Sequence, residues 1–451
     1  MAICFAACLL LFFGALATVL SSKQAEDTGD DGTESEAYYP TAPAGNIPQL
    51  TPSSAGGEAS SGDGATPGVT RVTRKPLPLR PLVCSYKLDM NKDYPYPPDG
   101  LCDFLFHTFG VLPEGFNYNE YEEVTDDDRA LFDKFKDEAM KSKITLFGID
   151  IYDHFENNSI LTLNTDEGKA ALRGLWDYKI VHYACLDFFI FALGDHFAMK
   201  IGMLAKILME LRDEYRSLHE TENSFFFLGI GAANENRDER QVTVLRYAMS
   251  IMLPDAVLYR TTRTNSYDYA SECTFVPPSQ WSESEESVQM TFSAAFRMRK
   301  LSTWPSSVVQ MMSFSPGITY MDGGDPLVFN SKCDGYTLKP ASFRCSPDNG
   351  ARDAPFMKSP DGMDVYRLGN ISYMSQLGHF FAGYDTPESM KRKMCKSVVE
   401  HNFSGGWTVL HMEYSIVDGK GCNDTNYQGN YQMVQALRDL MKINFTANDC
   451  P

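Results

Sequence analysis

Basic residues are scarce in this chain. Lysine and arginine number 40 against 59 aspartates and glutamates, so the formal net charge at pH 7 is −19. A protein that binds nucleic acid neutralises phosphates with a basic surface, and an excess of acids is repelled by that backbone. Nucleic acid is therefore not an expected partner.

The sequence also lacks the short motifs that mark metal and nucleotide sites. It has no His-Glu-x-x-His, no Gly-x-Ser-x-Gly, no P-loop and no paired Cys-x-x-Cys units. The turn GIGAAN at 229–234 is the only hint of a nucleotide loop, and it lacks the spaced third glycine of a dinucleotide-binding motif. We therefore expect no metal and no cofactor.

Charge is absent from the first twenty residues. Met1–Leu20 is an uncharged, mostly apolar run, and Ala15-Leu16-Ala17 matches the small-x-small pattern of a cleavage site. This pattern is typical of a secretory signal peptide, and the run is also just long enough to span a bilayer as an uncleaved anchor. We expect cleavage and a secreted, extracellular protein, with no membrane contact unless the signal stays uncleaved.

The next segment, 21–79, has the composition of a disordered linker. Ser, Thr, Gly, Pro and Ala dominate it, and between 23 and 70 it carries eight acids and one lysine. Such a segment cannot bury enough apolar surface to offset its conformational entropy. Regular apolar segments fill 80–451, which is long enough for one large domain.

Nine cysteines remain once Cys4 and Cys8 leave with the signal. In an exported chain most of them should form disulfides, and the odd one should be a buried thiol. Cys185, inside an apolar run, is the strongest candidate for that thiol. Sequons predict that the exported protein is glycosylated. They begin at Asn157, Asn370, Asn402, Asn423 and Asn444.

Short apolar runs alternate with amphipathic helices about eight times after residue 80. The runs are apolar on both faces, as in KITLFGIDIY (143–152) and SFFFLGIGAA (224–233), and buried parallel strands have that composition. The segments between them have helical periodicity, and helix 165–176 opens on a capping threonine. The pattern predicts an α/β fold, a (β/α)₈ TIM barrel, with an open doubly wound sheet as the alternative.

The two ends of the globular part carry its most specific patterns. They read LVCSYKLDMNKDYPYPPDGLCDFLFHTFGV and FAGYDTPESMKRKMCKSVVEHNFSGGWTVLHMEYSIVDGKGC. The first resembles the opening strands of glycoside hydrolase family 18, the chitinases and chitinase-like lectins, and the second resembles that family's last helix and strand. The likeness is nearest to the divergent secreted chitinase-like proteins of arthropods, ticks especially. It implies a Cys84–Cys102 disulfide, and a partner for Cys422 in Cys333 or Cys345.

In this family the fourth strand carries Asp-x-x-Asp-x-Asp-x-Glu, whose Glu protonates the leaving oxygen while the substrate's own acetamide attacks. Here the strand reads KIVHYACLDFFI, with Asp187 as its one acid. One alignment puts Asp187 in place of the Glu. The three aspartates then become Ile180, Tyr183 and Cys185. The other puts Asp187 at the last Asp, and the Glu becomes Phe189. The resemblance thus implies loss of the reaction, with Asp187 as a vestige.

Two more strands bear on a sugar site. Counted from Gly405, the family's sugar-stacking Trp on strand eight falls on Leu410, and loss of that ring should weaken sugar binding. The family's Met-x-Tyr-Asp on strand six falls on Arg-Thr-Thr-Arg at 260–263. The family also has an insertion after strand seven, which we place at about 322–366.

Three further polar residues are binding candidates. Asp150 and Asp153 follow the third strand, at the end of the barrel where sites lie. They could line a polar pocket, and we favour a role as caps and turn formers of the following loop. His182 could pair with Asp187 inside the barrel, although a core histidine that bonds to the backbone is more common.

Three functional hypotheses follow. We favour a secreted, non-catalytic barrel that binds a chitin-like oligosaccharide or an extracellular host protein. The next is an interaction protein whose barrel has no sugar pocket. The last is an active hydrolase with relocated carboxylates such as Asp150, Asp153 and Asp187.

Overall fold

The computed structural model describes residues 75–87, 95–109, 126–151, 162–186, 195–231, 253–262, 273–275, 277–281, 290–302, 304–315, 317–321, 329, 331–333, 335–337, 357–358, 364–373, 376–415 and 430–450. All of the described residues belong to one compact unit, 70–451. The predicted signal peptide and the linker up to residue 74 lie outside the described residues.

Eight parallel strands close into a barrel. In chain order they are β1 (Leu82–Lys87), β2 (Phe104–Phe109), β3 (Leu146–Ile151), β4 (Ile180–Cys185), β5 (Phe226–Ile230), β6 (Ala256–Tyr259), β8 (Val309–Phe314) and β15 (Gly406–Val409). Strand β1 pairs with both β2 and β15, so the sheet has no open edge. The predicted TIM barrel is confirmed, and the alternative of an open doubly wound sheet is wrong.

Six α-helices fall within the described residues. They are α1 (Asp126–Lys141), α2 (Asp166–Gly174), α3 (Asp195–Leu218), α4 (Phe292–Leu301), α5 (Pro387–His401) and α6 (Gln432–Leu440). Threonine caps begin three of them. Thr165 accepts a hydrogen bond from the Gly168 N–H at α2, Thr291 caps α4, and Thr386 forms a capping box with Ser389 at α5.

The last barrel strand is shorter than the sequence predicts. The segment GGWTVLHMEY (405–414) has the apolar composition of a single strand, but β15 ends at Val409. His411 has a φ of 55°, in the left-handed region, and a 3₁₀ turn (Met412–Ser415) follows it. A residue with that backbone conformation cannot continue a strand, so the apolar pattern here belongs to two elements.

Side chains alternate along the strands and form two cores. The inner core fills the barrel. Its members are Val83, Phe104, Phe106, Ala184, Leu186, Phe225, Phe227, Ala256, Leu258, Val309, Met311 and Leu410. The outer core lies between the barrel and its helices, and it includes Cys84, Tyr183 and Cys185. Membership of these cores shows which face of the barrel each strand residue points to.

A second, antiparallel sheet follows the seventh barrel strand. Its strands lie in the order β11 (Gly335–Thr337), β9 (Ile318–Met321), β14 (Gln376–Tyr384), β13 (Asp364–Tyr373) and β12 (Met357–Lys358). It extends from Ile318 to Tyr384, so it has strands inside the predicted 322–366 and strands on either side of that range. Strands β7 (Cys273–Thr274) and β10 (Lys332–Cys333) form a separate antiparallel pair.

Two disulfides join elements that are distant in sequence. Cys84–Cys102 links β1 to the segment before β2, as the resemblance implied, and Cys395–Cys450 links α5 to the C-terminal 3₁₀ turn (Ala447–Asp449). Cys333 is also disulfide-bonded. Cys185 is a buried thiol outside these bonds, as predicted. Cys345 and Cys422 lie outside the described residues.

The sequons fall in different surroundings. Asn402, which ends α5, and Asn444, which follows α6, are exposed, so both are accessible to a glycosylating enzyme. Asn370 lies on β13, whose side chains are not described at this position, and Asn157 and Asn423 lie outside the described residues.

Candidate binding site at the carboxyl end of the barrel

Sites of TIM barrels lie at the carboxyl ends of the strands. Strand alternation points one set of side chains inward there. These are Ser85, Thr108, Asp150, Leu186, Arg260, Thr262, Ser313 and Leu410, and all of them are buried. The eight positions carry four hydroxyl groups, one carboxylate and one guanidinium. The ring can therefore donate and accept hydrogen bonds, but it does not contain the paired carboxylates of a glycosidase.

Strand β4 presents no carboxylate to the barrel interior. Ala184 and Leu186 belong to the inner core, and His182 contacts two inner-core rings, Phe104 and Phe225. Tyr183 and Cys185 belong to the outer core, where the Trp176 indole N–H donates to the Tyr183 hydroxyl at 2.6 Å. From His182 onward the inward positions of this strand are therefore the even-numbered ones, whereas Ile180, which lies before a register shift in the pairing of β3 with β4, belongs to the outer core.

This orientation differs from the one that both sequence alignments of the strand assume. Placing Asp187 at the family's Glu, or at its last Asp, requires the odd-numbered residues to face inward. Tyr183 and Cys185 face the helices instead. The residues that face inward are therefore shifted by one position from those that the alignments assume, and such a shift exchanges the two faces of a strand. The inward register runs through His182, Ala184 and Leu186. Asp187 and Phe189 themselves lie outside the described residues.

Asp150 is buried inside the barrel mouth, at the end of β3. The Thr108 hydroxyl donates to one of its oxygens at 3.0 Å, and the Leu186 backbone N–H donates to the other at 2.7 Å. We predicted a role in the loop after β3, but these partners lie on the neighbouring strands. In a barrel, adjacent parallel strands end only about 5 Å apart, so one carboxylate can join β2, β3 and β4. Asp153 lies outside the described residues.

His182 lies near the amino end of the barrel and bonds to the backbone. The Phe225 N–H donates to its Nδ1 at 3.1 Å, and its ring stacks on that of Phe225. Desolvation by burial, and then the positive charge of Arg216, lower the pKa of His182 to about 3. The ring is therefore neutral at physiological pH. Its bond to the backbone is the arrangement that the sequence favoured over a pair with Asp187.

The ends of β6 and β8 form a polar wall of the mouth. Arg260 continues the strand ladder, since its N–H donates to the Ile230 carbonyl at 2.8 Å. The Thr261 N–H donates to the Ser313 hydroxyl at 3.0 Å, and the Thr262 and Ser313 hydroxyls lie 2.9 Å apart. The guanidinium of Arg260 is buried on this wall, at the position where the resemblance aligns the family's methionine.

Leu410 lies where the resemblance places the sugar-stacking Trp. It belongs to the inner core and is almost fully buried. An aliphatic side chain here fills the barrel but offers no aromatic face to a sugar ring.

A buried charged network closes one side of the mouth, and it is absent from the residues predicted from the sequence. The Lys393 ammonium on α5 donates to Asp385 at 2.6 Å and to the Ser279 hydroxyl at 2.8 Å. Ser279 also donates to Asp385 and pairs in an isolated β-bridge with Thr262, at the end of β6. The sequence did contain one signal for this network. Its members Asp385, Ser389 and Lys393 are spaced four residues apart, which places them on the same face of a helix.

Neither metal-binding groups nor spanning helices are found in the described part of the chain. No group of three or more His, Cys, Asp or Glu side chains there could hold a metal ion. No helix there is long and apolar enough to cross a membrane.

Comparison with known proteins identifies the fold. No family model matches the sequence, and no curated protein matches it either. Human YKL-39, a pseudo-chitinase with retained chitooligosaccharide binding, is 14% identical with a TM-score of 0.56, over 81% of this chain and 100% of that one.

Two chitinases share the fold at a similar level. The immunomodulatory active chitinase TsES1 from Trichuris suis is 13% identical with a TM-score of 0.50, over 80% of this chain and all of that one. The Group IV chitinase of Ostrinia furnacalis, solved in complex with allosamidin, is 14% identical with a TM-score of 0.50. The match covers 81% of this chain and 100% of that one. The structural neighbours are thus chitinases and chitinase-like proteins, and the predicted resemblance is confirmed at the level of the fold.

Proposed function

We propose that this protein is an exported chitinase-like barrel that binds a glycan without hydrolysing it. The composition of β4 carries the proposal. Its inward positions are His182, Ala184 and Leu186, and none of these side chains is a carboxylic acid. The barrel is that of chitinases, while its fourth strand supplies packing in place of a proton donor.

The proposal concerns the carboxylic acids that the chitinase reaction requires. Substrate-assisted hydrolysis needs one carboxylic acid within reach of the leaving oxygen and a second carboxylate beside the acetamide. Asp150 reaches the inner wall, but its oxygens accept hydrogen bonds from Thr108 and Leu186. Loss of a general acid costs about 10²–10⁴ in rate. Turnover should therefore fall well below that of an intact chitinase.

Two observations support export, and a third supports sugar binding. Disulfides persist in oxidising compartments, and this chain forms at least the Cys84–Cys102 and Cys395–Cys450 bonds. Its uncharged first twenty residues fit a secretory signal. Among the structural neighbours, human YKL-39 retains chitooligosaccharide binding as a pseudo-chitinase. The same combination of barrel and lost chemistry is what we propose for this chain.

A hydrolysis assay tests the catalytic half of the proposal. We expect no turnover of an aryl chitobioside by the full exported chain, nor by Asp187→Asn or Asp150→Asn. The exposed Asp177, on the outside of the barrel, provides the control Asp177→Asn. Turnover that Asp187→Asn or Asp150→Asn abolishes, and that Asp177→Asn leaves intact, would establish relocated carboxylates and overturn the proposal.

A titration tests the binding half. We expect chitotetraose to bind saturably in isothermal titration calorimetry, and Leu410→Ala to weaken it about threefold or more by removing inner-wall contact area. The control is Leu437→Ala, which truncates an equally buried leucine of the outer core on α6. Equal effects of the two variants on affinity would show that the sugar does not bind at the mouth.

A second candidate function follows from the burial of the mouth. All eight inward-facing side chains at the carboxyl end are buried, which favours an interaction protein whose barrel holds no sugar. Absence of any oligosaccharide binding in the titration, with the fold intact, would select this candidate.

A further inference from the structure

The short antiparallel pair of β7 and β10 lies apart from both larger sheets. At one end of the pair the backbone register sets Cys273 opposite Cys333. Two residues further along each strand, the Phe275 N–H donates to the Ser331 carbonyl at 2.9 Å, which keeps the same register. The two cysteines are therefore direct cross-strand neighbours in a regular ladder.

This register gives the two backbones the spacing that a disulfide needs. Residues directly opposite each other in an antiparallel pair have Cα atoms about 4.5–5.5 Å apart. A disulfide joins Cα atoms that are about 4.4–6.8 Å apart. The backbone of the pair can therefore accept a bond between positions 273 and 333 without moving.

The other cysteines leave few partners for Cys333, which is disulfide-bonded. Of the nine cysteines that follow the predicted signal, four form the two bonds described above and a fifth is the buried thiol. The candidates are therefore Cys273, Cys345 and Cys422. The backbone register places Cys273 beside Cys333, while the other two lie outside the described residues.

Residues 273–281, which we call the strap, run from this pair to the mouth of the barrel. Ser279 pairs in the β-bridge with Thr262, on the polar wall of the mouth. Towards the other end, Phe275 is buried and its ring stacks on that of Phe329 at a centroid distance of 4.9 Å. The strap is thus attached to the barrel at one end and to β10 at the other.

We propose that Cys273 and Cys333 form a disulfide, and that this bond fixes the strap beside the wall of the mouth. Its formation removes two protons and two electrons from the two thiols and passes them to a disulfide oxidant of the export pathway, which becomes a dithiol. The bond therefore rests on the export in the proposed function, and it is independent of sugar binding. It also leaves Cys345 as the partner of Cys422.

Peptide mapping of the unreduced protein tests the bond on the full exported chain. Free thiols are alkylated in denaturant, and trypsin then cuts after Arg344, which separates Cys333 from Cys345. We expect one linked pair of peptides that contains Cys273 and Cys333. A link from Cys333 to Cys345 or Cys422, or an alkylated Cys273, would overturn the proposal.

The other two disulfides distinguish a failure of this bond from a failure of export. Intact Cys84–Cys102 and Cys395–Cys450 bonds beside an alkylated Cys273 would refute the Cys273–Cys333 bond alone. Reduction of all three bonds would refute the proposed export as well.

A single substitution identifies the partner of Cys333 independently. Cys333→Ala should leave one new thiol, and alkylation should locate it at Cys273. Cys450→Ala is the matched control, and its new thiol should appear at Cys395. A new thiol at any other cysteine in Cys333→Ala would contradict the pairing.

Hydrogen exchange tests what the bond does at the mouth. Cys273→Ala combined with Cys333→Ala should speed exchange of the backbone amides of 279–281 about tenfold or more, because local opening of the strap then costs less free energy. Strand β3 serves as the internal reference for any change in global stability. An equal change in both segments, or none in 279–281, would show that the bond does not hold the strap and would overturn that part of the proposal.

Discussion

At the scale of single residues, two histidines of the barrel wall are buried and neutral. His182 accepts a hydrogen bond from the Phe225 N–H on the inner side, and His107 packs under α1 against Phe135 on the outer side. Desolvation by burial lowers the pKa of each to about 3, against the weak opposing effect of the Thr108 carbonyl at His107. Each ring must take up a proton when the chain unfolds in mild acid.

These two pKa values predict a loss of stability in mild acid. The folded-state values lie below the ordinary value of 6.5, so the stabilisation is complete above pH 6.5 and is lost as pH falls towards 3. Each histidine should contribute a slope of about 1.4 kcal/mol per pH unit within that window. Urea unfolding at pH 7, 6 and 5 measures the slope.

A matched pair of variants tests whether His182 contributes to that slope. His182→Gln should remove about half of it, while His219→Gln, at a half-exposed position after α3, should leave it unchanged. The slope is compared within each variant, so any overall destabilisation by His182→Gln does not affect the result. An unchanged slope in His182→Gln would contradict the assignment of a neutral buried ring.

At the scale of elements, α5 is joined to the barrel by charge as well as by packing. Lys393 and Asp385 are both fully buried and lie 2.6 Å apart, with Ser279 and Ser389 as further partners of Asp385. The network connects the start of α5, the end of β14 and the segment that bridges to β6. It fixes the second sheet's last strand relative to the rim of the barrel mouth.

Breaking this buried pair should be costly. Lys393→Met leaves the Asp385 carboxylate uncompensated, and we expect it to lower the free energy of unfolding by about 3–5 kcal/mol. Lys393→Met with Asp385→Leu removes both charges and should recover much of that loss. Lys391→Met, two residues away and only partly buried, should change stability by less than about 0.5 kcal/mol. A double variant as unstable as the single one would show that packing, and not charge, governs this site.

At the scale of the whole molecule, contacts between residues far apart in sequence close the barrel, and disulfides cross-link the chain. Strand β1 pairs with β15 across 325 residues of sequence, so the barrel forms only when both ends of the domain meet. Cys395–Cys450 joins α5 to the C-terminus across a separation of 55 residues, and Cys84–Cys102 spans 18. The longer loop has more conformational entropy in the unfolded chain for its disulfide to remove.

The two disulfides should therefore differ in their effect. Loop-closure entropy predicts losses of about 4 kcal/mol for Cys395→Ala with Cys450→Ala and about 3 kcal/mol for Cys84→Ala with Cys102→Ala. Denaturant unfolding of the two double variants under oxidising conditions measures both. A larger loss at Cys84–Cys102 would mean that its position in the barrel wall, and not loop length, dominates.

The sequence predicted the elements well because their signals are local. The apolar runs, the Thr165 cap and the reduced Cys185 all follow from composition within a few residues. Where two elements share one apolar pattern, as at 405–414, the local signal could not show that His411 turns out of the strand. The Lys393 network was missed because Ser279 lies 114 residues away and has no local mark.

By itself, the sequence determined an α/β barrel with a chitinase-like opening and ending, since hydrophobic periodicity and short motifs act over neighbouring residues. Only the tertiary structure decided which residues of the fourth strand face the interior. A register shift of one residue exchanges the two faces of a strand, and neighbouring strands choose between them through packing. That packing placed His182, Ala184 and Leu186 inside the barrel and made Asp150 a link between three strands.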